Sequence, residues 1–213
     1  MLPKPTICSS EAQPAGKPLL CGLQPTARKR SRDGGITINP GIVPDRPAEI
    51  LSALRDDADI ILVSGGSSVG QEDHAPSLIT EHGELAIHGI AMRPSSPSGM
   101  GLLDDRLVLL LPGNPVSCLC AYDFFAGRAI RMAAGRSADW PYPFTDGRLA
   151  RKLVSAIGRV DYARIAITPE GVEPLAISGA SVLSSTTRAD GFVIIPADSE
   201  GYGAGADVKV YHY

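Results

Sequence analysis

Residues 60–74 read IILVSGGSSVGQEDH, an apolar run followed by a loop of small and polar residues. Ile60 to Val63 is short and continuously apolar, which is typical of a buried strand in a parallel sheet. Glycines let backbone amides approach a ligand and serine hydroxyls add donors, so the loop predicts a site for phosphate or another oxyanion. The alternative is that the glycines serve only tight packing between a strand and a helix. The candidate ligand-binding residues of this loop are Gly65, Gly66, Ser67, Ser68 and Gly70.

A second loop, LLLPGNPVS at residues 109–117, also follows a predicted buried strand, residues 107–111. Asn114 stands at the expected N-cap and Pro115 at the first position of a long helix predicted over residues 116–134, with Gly135 as its stop. Backbone amides at the positive end of a helix attract anions. Because ligands bind at the carboxyl ends of parallel strands, the two loops predict one shared crevice, unless the second is only a stiff turn. Its candidate residues are Pro112, Gly113, Asn114 and Ser117.

Charged side chains near the loops are candidates for the chemistry itself. Asp73 follows the glycine loop and has three possible roles. It could meet a bound phosphate through a divalent cation, or accept a hydrogen bond from a donor-bearing ring. Alternatively, it could cap a helix predicted over residues 76–81. Arg93 follows an extended segment, residues 85–92, and would offer a guanidinium fork to an oxyanion or lie exposed on the surface. His74, His82 and His88 share no metal-ligand spacing.

The order of predicted elements indicates an α/β domain followed by a β domain. A strand at residues 36–38 precedes a helix opened by Asp45, Arg46 and Pro47, and strands then alternate with helices, which predicts a parallel sheet covered on both faces. Trp140–Pro143 interrupts this pattern. We divide the chain into residues 1–35 (an altered start of the α/β domain or a disordered segment), 36–138 (the α/β domain) and 139–213 (short strands of a β-barrel or sandwich). These strands are predicted at 149–153, 162–167, 172–175, 192–195 and 208–211.

Composition excludes several functions. A net charge of −3 over 213 residues and 5% aromatic residues argue against a nucleic-acid surface or a polybasic membrane signal. The basic residues 28–32 are interpreted as a solvated loop. No apolar run approaches the ~18 residues that span a bilayer. The four cysteines have no paired spacing, so the sequence predicts a cytoplasmic protein with reduced thiols.

Four motifs occur in order: GIVPD (41–45), SGGSSVGQEDH (64–74), IAMRP (90–94) and LPGNPVS (111–117). Together they resemble the molybdopterin molybdenumtransferases, the MoeA and gephyrin E-domain family. The resemblance implies a mostly parallel three-layer α/β/α domain like that of MoaB and Mog, followed by a small C-terminal β-barrel. It also implies that adenylylated molybdopterin and molybdate are the substrates, that AMP is released, and that Mg²⁺ assists. Asp73 and Asp45 would engage the cation or molybdate, Glu11 would add a third acidic position, and Arg93 would neutralise charge.

The chain also departs from this family, whose members have about twice its length. In the family, the additional N-terminal half builds a dimer. The resemblance therefore implies a homodimer, or a partner chain that supplies the region missing here. Cys8–Glu11 resembles an altered version of the opening strand and its acidic turn. Ser96 replaces a second basic residue and Ala180 a serine, while Arg159 is retained. Three hypotheses follow: an enzyme of molybdenum insertion, a molybdopterin-binding module without turnover, and an inactive truncated paralogue.

Overall fold

The computed structural model describes residues 6–12, 32–65, 73–176 and 187–213. The chain divides into two compact units, one formed by residues 1–90 and 97–140 and the other by residues 91–96 and 141–213. The sequence pattern gave no sign that residues 91–96 leave the first unit. In the described part of the chain, no helix is both long enough and apolar enough to cross a membrane.

The first unit contains a six-stranded mixed sheet. Its strands are β1 (Thr6–Ala12), β2 (Ile36–Val43), β3 (Ile60–Ser64), β4 (Glu84–His88), β6 (Gly99–Leu103) and β7 (Arg106–Leu111), while β5 (Met92–Arg93) belongs to the second unit. The strand order is β2-β1-β3-β7-β6-β4. Neighbours from β2 to β7 are parallel, and β6 and β4 pair antiparallel at one side.

The sheet is mostly parallel, and the antiparallel strand β6 is a feature that the alternation of strands and helices did not predict. Its sequence, GMGLL, contains two glycines and was not predicted as a strand. A two-residue turn with positive φ at Asp104 (48°) and Asp105 (62°) returns the chain directly from β6 to β7, which produces an antiparallel hairpin. Gly101 is required there, because a β-carbon would overlap the carbonyl oxygen of Glu84 on β4.

Helices pack on both faces of this sheet. They are α1 (Pro47–Leu54), α2 (His74–His82), α3 (Pro115–Ala121), a π-helical turn (Tyr122–Ala126) and α4 (Gly127–Ala133). Alternate residues of β3 divide between the two faces: Ile61 and Val63 pack with α1 and α2, whereas Ile60 and Leu62 pack with the α3–α4 run. A strand buried on both sides must be apolar throughout, which explains the continuous run that opens the sequence motif.

The predicted helix over 116–134 is present, but a π-helical turn interrupts it. The amide of Gly127 donates to the carbonyl of Tyr122, five residues earlier. Asp123 therefore loses the donor that an α-helix would give its carbonyl oxygen, and the indole Nε1 of Trp140 donates to it instead at 3.0 Å.

β1 occupies an interior position of the sheet, between β2 and β3. The sequence was interpreted as an altered opening strand within a polar, proline-rich segment. The parallel registers pair Cys8 with Ile61 and Glu11 with Ser64. Tertiary pairing on both sides thus gives residues 6–12 a regular conformation that their local pattern only suggests.

The second unit is a mostly antiparallel β structure. Its strands are β5 (Met92–Arg93), β8 (Phe144–Arg148), β9 (Leu153–Val154), β10 (Val160–Thr168), β11 (Gly171–Ala176), β12 (Gly191–Ile195), β13 (Gly201–Tyr202) and β14 (Asp207–His212). The larger sheet has the order β11-β10-β12-β14-β8, with β5 parallel to β10, and β13 pairs with β9. The predicted strand 149–153 is wrong, since β8 ends at Arg148 and β9 begins at Leu153.

The described residues do not show the closed β-barrel that the resemblance implies. An isolated bridge between Leu149 and Val172 brings the two edge strands, β8 and β11, close together. No continuous ladder closes the path within the described residues. A barrel requires a full ladder between its first and last strands, and a single bridge supplies only one pair.

Candidate functional site

Four parallel strands of the first unit end at the same edge of the sheet. Ala12 pairs with Val43, Glu11 with Ser64, and Ser64 with Leu111. The loops that leave these strands therefore start next to one another. This edge is the predicted position of a ligand crevice in an open parallel sheet.

The two glycine-containing loops are in direct backbone contact. The amide of Gly65 donates to the carbonyl of Leu111 at 3.2 Å. A β-carbon on Gly113 would lie 3.3 Å from the Cα of Gly65, closer than ordinary van der Waals contact. Gly65 itself has a φ of 86°, in the left-handed region that favours glycine. The glycines thus bring two stretches of backbone together, and the shared ligand crevice stays a prediction. Gly66, Ser67, Ser68 and Gly70 lie outside the described residues.

The second loop leads into the long helix as predicted. Asn114 has extended backbone angles (φ −68°, ψ 127°), and Pro115 occupies the first turn. The side chain of Asn114 makes no capping hydrogen bond and is exposed, as is Gly113, whereas Pro112 and Ser117 are buried. The first-turn amides are therefore not capped by this side chain, which leaves the start of the helix suited to an anion.

A contact that the sequence did not predict joins the end of β3 to the same helix. The hydroxyl of Ser64 lies 3.6 Å from the thiol sulfur of Cys118, which is buried. Ser64 is the residue immediately before the glycine loop, so this contact helps to fix the position where the loop leaves the sheet. The only sequence signal was a polar residue at the end of an apolar strand.

Asp73 stands at the N-cap position of α2. The helix begins at His74, two residues earlier than predicted, and the side chain of Asp73 makes no capping hydrogen bond. The alternative in which this carboxylate caps the helix is therefore not supported by the geometry. Asp73 is half-buried and follows the glycine loop directly.

Asp45 was expected to cap α1, and this prediction is wrong. Arg46 is the N-cap residue, with an extended backbone (φ −130°, ψ 129°), and its amide donates to the carbonyl of Pro44 at 2.8 Å. One carboxylate oxygen of Asp45, Oδ1, is buried and has no hydrogen-bond partner within the described residues. A buried carboxylate oxygen without a donor is costly unless a ligand or cation meets it.

The residues at this edge fit a hydrated cation only in part. Mg²⁺ binds proteins through one or two carboxylates and retains several waters. Asp45, which follows β2, offers an unpaired oxygen. Asp73 follows β3, which β1 separates from β2 in the sheet. The side chain of Glu11, on β1, lies outside the described residues. Within the described ranges, no group of three or more His, Cys, Asp or Glu side chains converges on one point. The magnesium site remains a prediction.

Arg93 belongs to the second unit, where it forms an ion pair. Its Nη2 donates to Asp161 Oδ2 at 2.8 Å, and its side chain is 35% exposed. Asp161 is fully buried and was not identified from the sequence. The role of Arg93 towards an oxyanion stays a prediction. The structure adds that the Asp161 carboxylate orients the Arg93 side chain.

Sequence reasoning also missed a buried polar cluster in the first unit. Asp33 is fully buried and accepts hydrogen bonds from the Tyr122 hydroxyl (2.8 Å), from Arg131 Nη1 (3.0 Å) and from Arg32 Nε (3.2 Å). We call these four residues the Asp33 cluster. Burial and then the neighbouring Asp33 carboxylate raise the pKa of the Tyr122 phenol far above its ordinary value. The cluster ties the entrance of β2 to the middle of the long helix. Asp33 follows a run of basic residues, so its sequence resembles a solvated loop.

The fold defines a class: α/β proteins with an open sheet whose parallel strands end at one common edge. Comparison with known proteins is more specific. A family model described as the probable molybdopterin binding domain matches residues 25–131, and one described as the MoeA C-terminal region (domain IV) matches residues 146–213. The chain belongs to the MoeA-like family of molybdenum cofactor biosynthesis proteins.

Individual relatives agree with this assignment. A molybdopterin biosynthesis protein of Methanocaldococcus jannaschii is 33% identical over 173 residues, which cover 80% of this chain and 41% of the relative. A molybdopterin molybdenumtransferase of Haemophilus influenzae is 27% identical over 181 residues, covering 81% of this chain and 45% of the relative. The crystal structure of a molybdopterin biosynthesis MoeA protein from Pyrococcus horikoshii superposes with a TM-score of 0.78 and 26% identity, covering 98% of this chain and 54% of that one. The chain thus spans less than half the length of these two sequence relatives.

Proposed function

We propose that this protein acts in the insertion of molybdate into adenylylated molybdopterin, with release of AMP. The observation that carries the proposal is the apposition of the Gly65 and Gly113 loops at the end of two parallel strands. Backbone amides in such loops hold phosphate oxygens, and adenylylated molybdopterin presents two phosphates joined by an anhydride bond. Membership of the MoeA-like family supports the choice of this substrate over other phosphorylated ligands.

The residues have distinct roles in this proposal. The two loops, including Gly66, Ser67, Ser68 and Gly70, hold the phosphates, and the start of the α3–α4 helix adds its positive end. Asp45 and Asp73 face the cation or molybdate, and Arg93 neutralises negative charge. Mg²⁺, held by Asp45 and Asp73 with Glu11 as a third candidate, would offset the charge of the anhydride when bound.

A second candidate function is molybdopterin binding without turnover. In this alternative the two loops hold the phosphates of the ligand and no AMP is released. The third candidate, an inactive paralogue, makes no ligand-dependent prediction and is tested by the same experiment.

The test is to incubate the full chain with adenylylated molybdopterin, MgCl₂ and molybdate, and to measure both ligand binding and AMP release. AMP release supports the enzyme, and binding without release supports the binding module. If the ligand does not bind and no AMP is released, the inactive paralogue is supported.

Gly113→Val tests the crevice itself. The valine side chain would start 3.3 Å from the Gly65 Cα and fill the space between the loops. We expect ligand affinity to fall about tenfold or more while the protein stays folded. Gly203→Val is the matched control, because a β-carbon there meets nothing within 4 Å. Equal affinity in both variants would show that the ligand does not use the contact between the loops.

A further inference from the structure

Helices cover one face of the first sheet over only part of its width. On this face, the apolar residues of β3 and β7 pack beneath the α3–α4 run. Strands β6 and β4 lie beyond β7. Leu103 of β6 packs with α2 on the opposite face and has no exposed surface, whereas its neighbour Leu102 is 46% exposed. Within the described residues, the α3–α4 side of β6 and β4 is therefore left without a helix.

The uncovered strands present apolar side chains on this side. The register of β4 and β6 places Ile87 beside Met100. The register of β6 and β7 places Leu102 beside Leu107. Met100 and Leu107 pack against the core cluster beneath the α3–α4 run, and Ile87 is 42% exposed. The apolar surface thus extends from the core cluster outwards to the last strand of the sheet.

The neighbouring side of the long helix continues this surface. Phe125, in the π-helical turn, packs against the same core cluster as Met100 and Leu107. Met132 stands two helical turns later on the same side of the helix and is 63% exposed. Contiguous apolar patches on a globular protein mark interaction sites. We call this patch the β6 face, and it consists of Ile87, Met100, Leu102, Leu107, Phe125 and Met132.

The spacing of the uncovered strands suits one additional helix. Neighbouring strands are about 5 Å apart, so β6 and β4 lie about 5 and 10 Å beyond β7. Packed helices lie about 8–10 Å from each other. A helix placed over β6 and β4 would therefore contact the α3–α4 run along its side. It would also complete the helical layer on this face of the sheet.

Two opposite charges border the β6 face. Glu84 on β4 pairs in register with Leu102 and is exposed. Arg128 on α4 is also exposed, and it points about 200° away from Ala126 and Ile130, which are buried against the sheet. Neither Glu84 nor Arg128 forms an ion pair with another residue of the described ranges. A partner on this face would therefore need a base beside Glu84 and an acid beside Arg128.

We propose that the β6 face is an interface between two copies of this chain that are related by a two-fold axis. In this interface, the α3–α4 run of each copy lies over β6 and β4 of the other. Because Arg128 faces away from its own sheet, the partner's Arg128 then approaches Glu84. The two-fold axis repeats this ion pair, so one surface of the chain complements itself. The inference is independent of the proposed function, since the interface uses none of the residues proposed to bind the ligand.

Sedimentation equilibrium of the full chain in the micromolar range tests the inference. The wild type should form dimers. Leu102→Glu places a charge in the middle of the β6 face and should raise the Kd of the dimer at least about thirtyfold, the loss typical of a central interface contact. The matched control is Ile167→Glu, at an isoleucine of the second unit that is 51% exposed. It should leave the Kd within about twofold.

Exchange of the two border charges is the sharper test. Glu84→Arg and Arg128→Glu should each weaken the dimer about tenfold, because like charges then face each other across the interface. The double variant restores opposite charges, and its Kd should return to within about threefold of the wild type. Both positions are exposed, so all three variants should fold, and circular dichroism checks this.

Three results would overturn the inference. A wild type that stays monomeric throughout the concentration range would exclude a second copy and leave the β6 face to a different protein. A dimer that Leu102→Glu leaves intact would use another surface. A double charge exchange that weakens the dimer as much as its two single variants together would show that Glu84 does not meet the partner's Arg128.

Discussion

Replacing Tyr122 by Phe removes one donor from the Asp33 cluster. The Tyr122 hydroxyl donates to Asp33 Oδ2 at 2.8 Å, and both residues are fully buried. Without it, that oxygen retains the longer bond from Arg32 Nη2, at 3.3 Å. Hydrogen bonds to charged groups contribute about 1.5–3 kcal/mol. We therefore expect the free energy of unfolding at pH 7 to fall by about 2 kcal/mol, with the fold retained.

The same substitution should change the pH dependence of stability. Burial and the Asp33 carboxylate raise the pKa of Tyr122 in the folded protein, whereas in the unfolded chain the phenol ionises near pH 10. The stabilisation from this group is complete below pH 10. It is lost above it, because only the unfolded chain releases the proton, at about 1.4 kcal/mol per pH unit. The advantage of the wild type over Tyr122→Phe should thus shrink from about 2 to below about 1 kcal/mol at pH 11.

Urea unfolding at pH 7 and pH 11, followed by circular dichroism, measures both values. Tyrosinate absorbance near 295 nm gives an independent check. The folded wild type and folded Tyr122→Phe should absorb equally at pH 11, and unfolded wild type should show one tyrosinate more than the unfolded variant. Tyr202→Phe, in the second unit, is the matched control. A loss below about 0.5 kcal/mol at pH 7, or weaker tyrosinate absorbance in the folded variant, would refute the reasoning.

Two further predictions concern the carboxylate after the glycine loop and the β unit. Asp73→Asn should abolish AMP release or weaken ligand binding at least about tenfold. The control is Asp57→Asn at an exposed aspartate before β3, which should change neither. If activity and binding both survive Asp73→Asn, Asp73 does not belong to the site. Gly191→Ala should lower the free energy of unfolding by about 1–3 kcal/mol in urea denaturation. The reason is that its β-carbon would overlap the carbonyl oxygen of Tyr211 on the neighbouring strand. An unchanged urea midpoint would mean that β12 and β14 move apart without loss of stability.

Much of the α/β unit could be predicted from local pattern. Ile60–Val63 and Leu107–Leu111 are continuously apolar, and each lies in a strand buried on both faces. The Asn114–Pro115 pair marked the start of the long helix correctly, since proline's fixed φ suits a first turn. The secondary structure of residues with a single strong conformational preference could therefore be predicted from the local sequence.

The antiparallel side of the first sheet and the π-helical turn could not be predicted in the same way. β6 is rich in glycine, and only the pairing of Gly101 against the Glu84 carbonyl explains it. The π-helical turn depends on Trp140, which supplies the donor that the Asp123 carbonyl requires. Such features depend on partners distant in sequence, which local propensity does not encode.

For the candidate site, too, some features follow from the local sequence and others from tertiary contacts. The sequence by itself indicated the two loops and the glycines at which they meet, because close backbone approach requires residues without a β-carbon. The roles of the carboxylates beside the loops stay predictions. Tertiary structure decided which groups meet: Gly65 with Gly113, Ser64 with Cys118, and Arg93 with Asp161. It also decided that Asp45 leaves its helix uncapped and keeps a buried oxygen unpaired. The physical reason is that strand pairing joins residues far apart in the chain, and only the folded protein fixes that register.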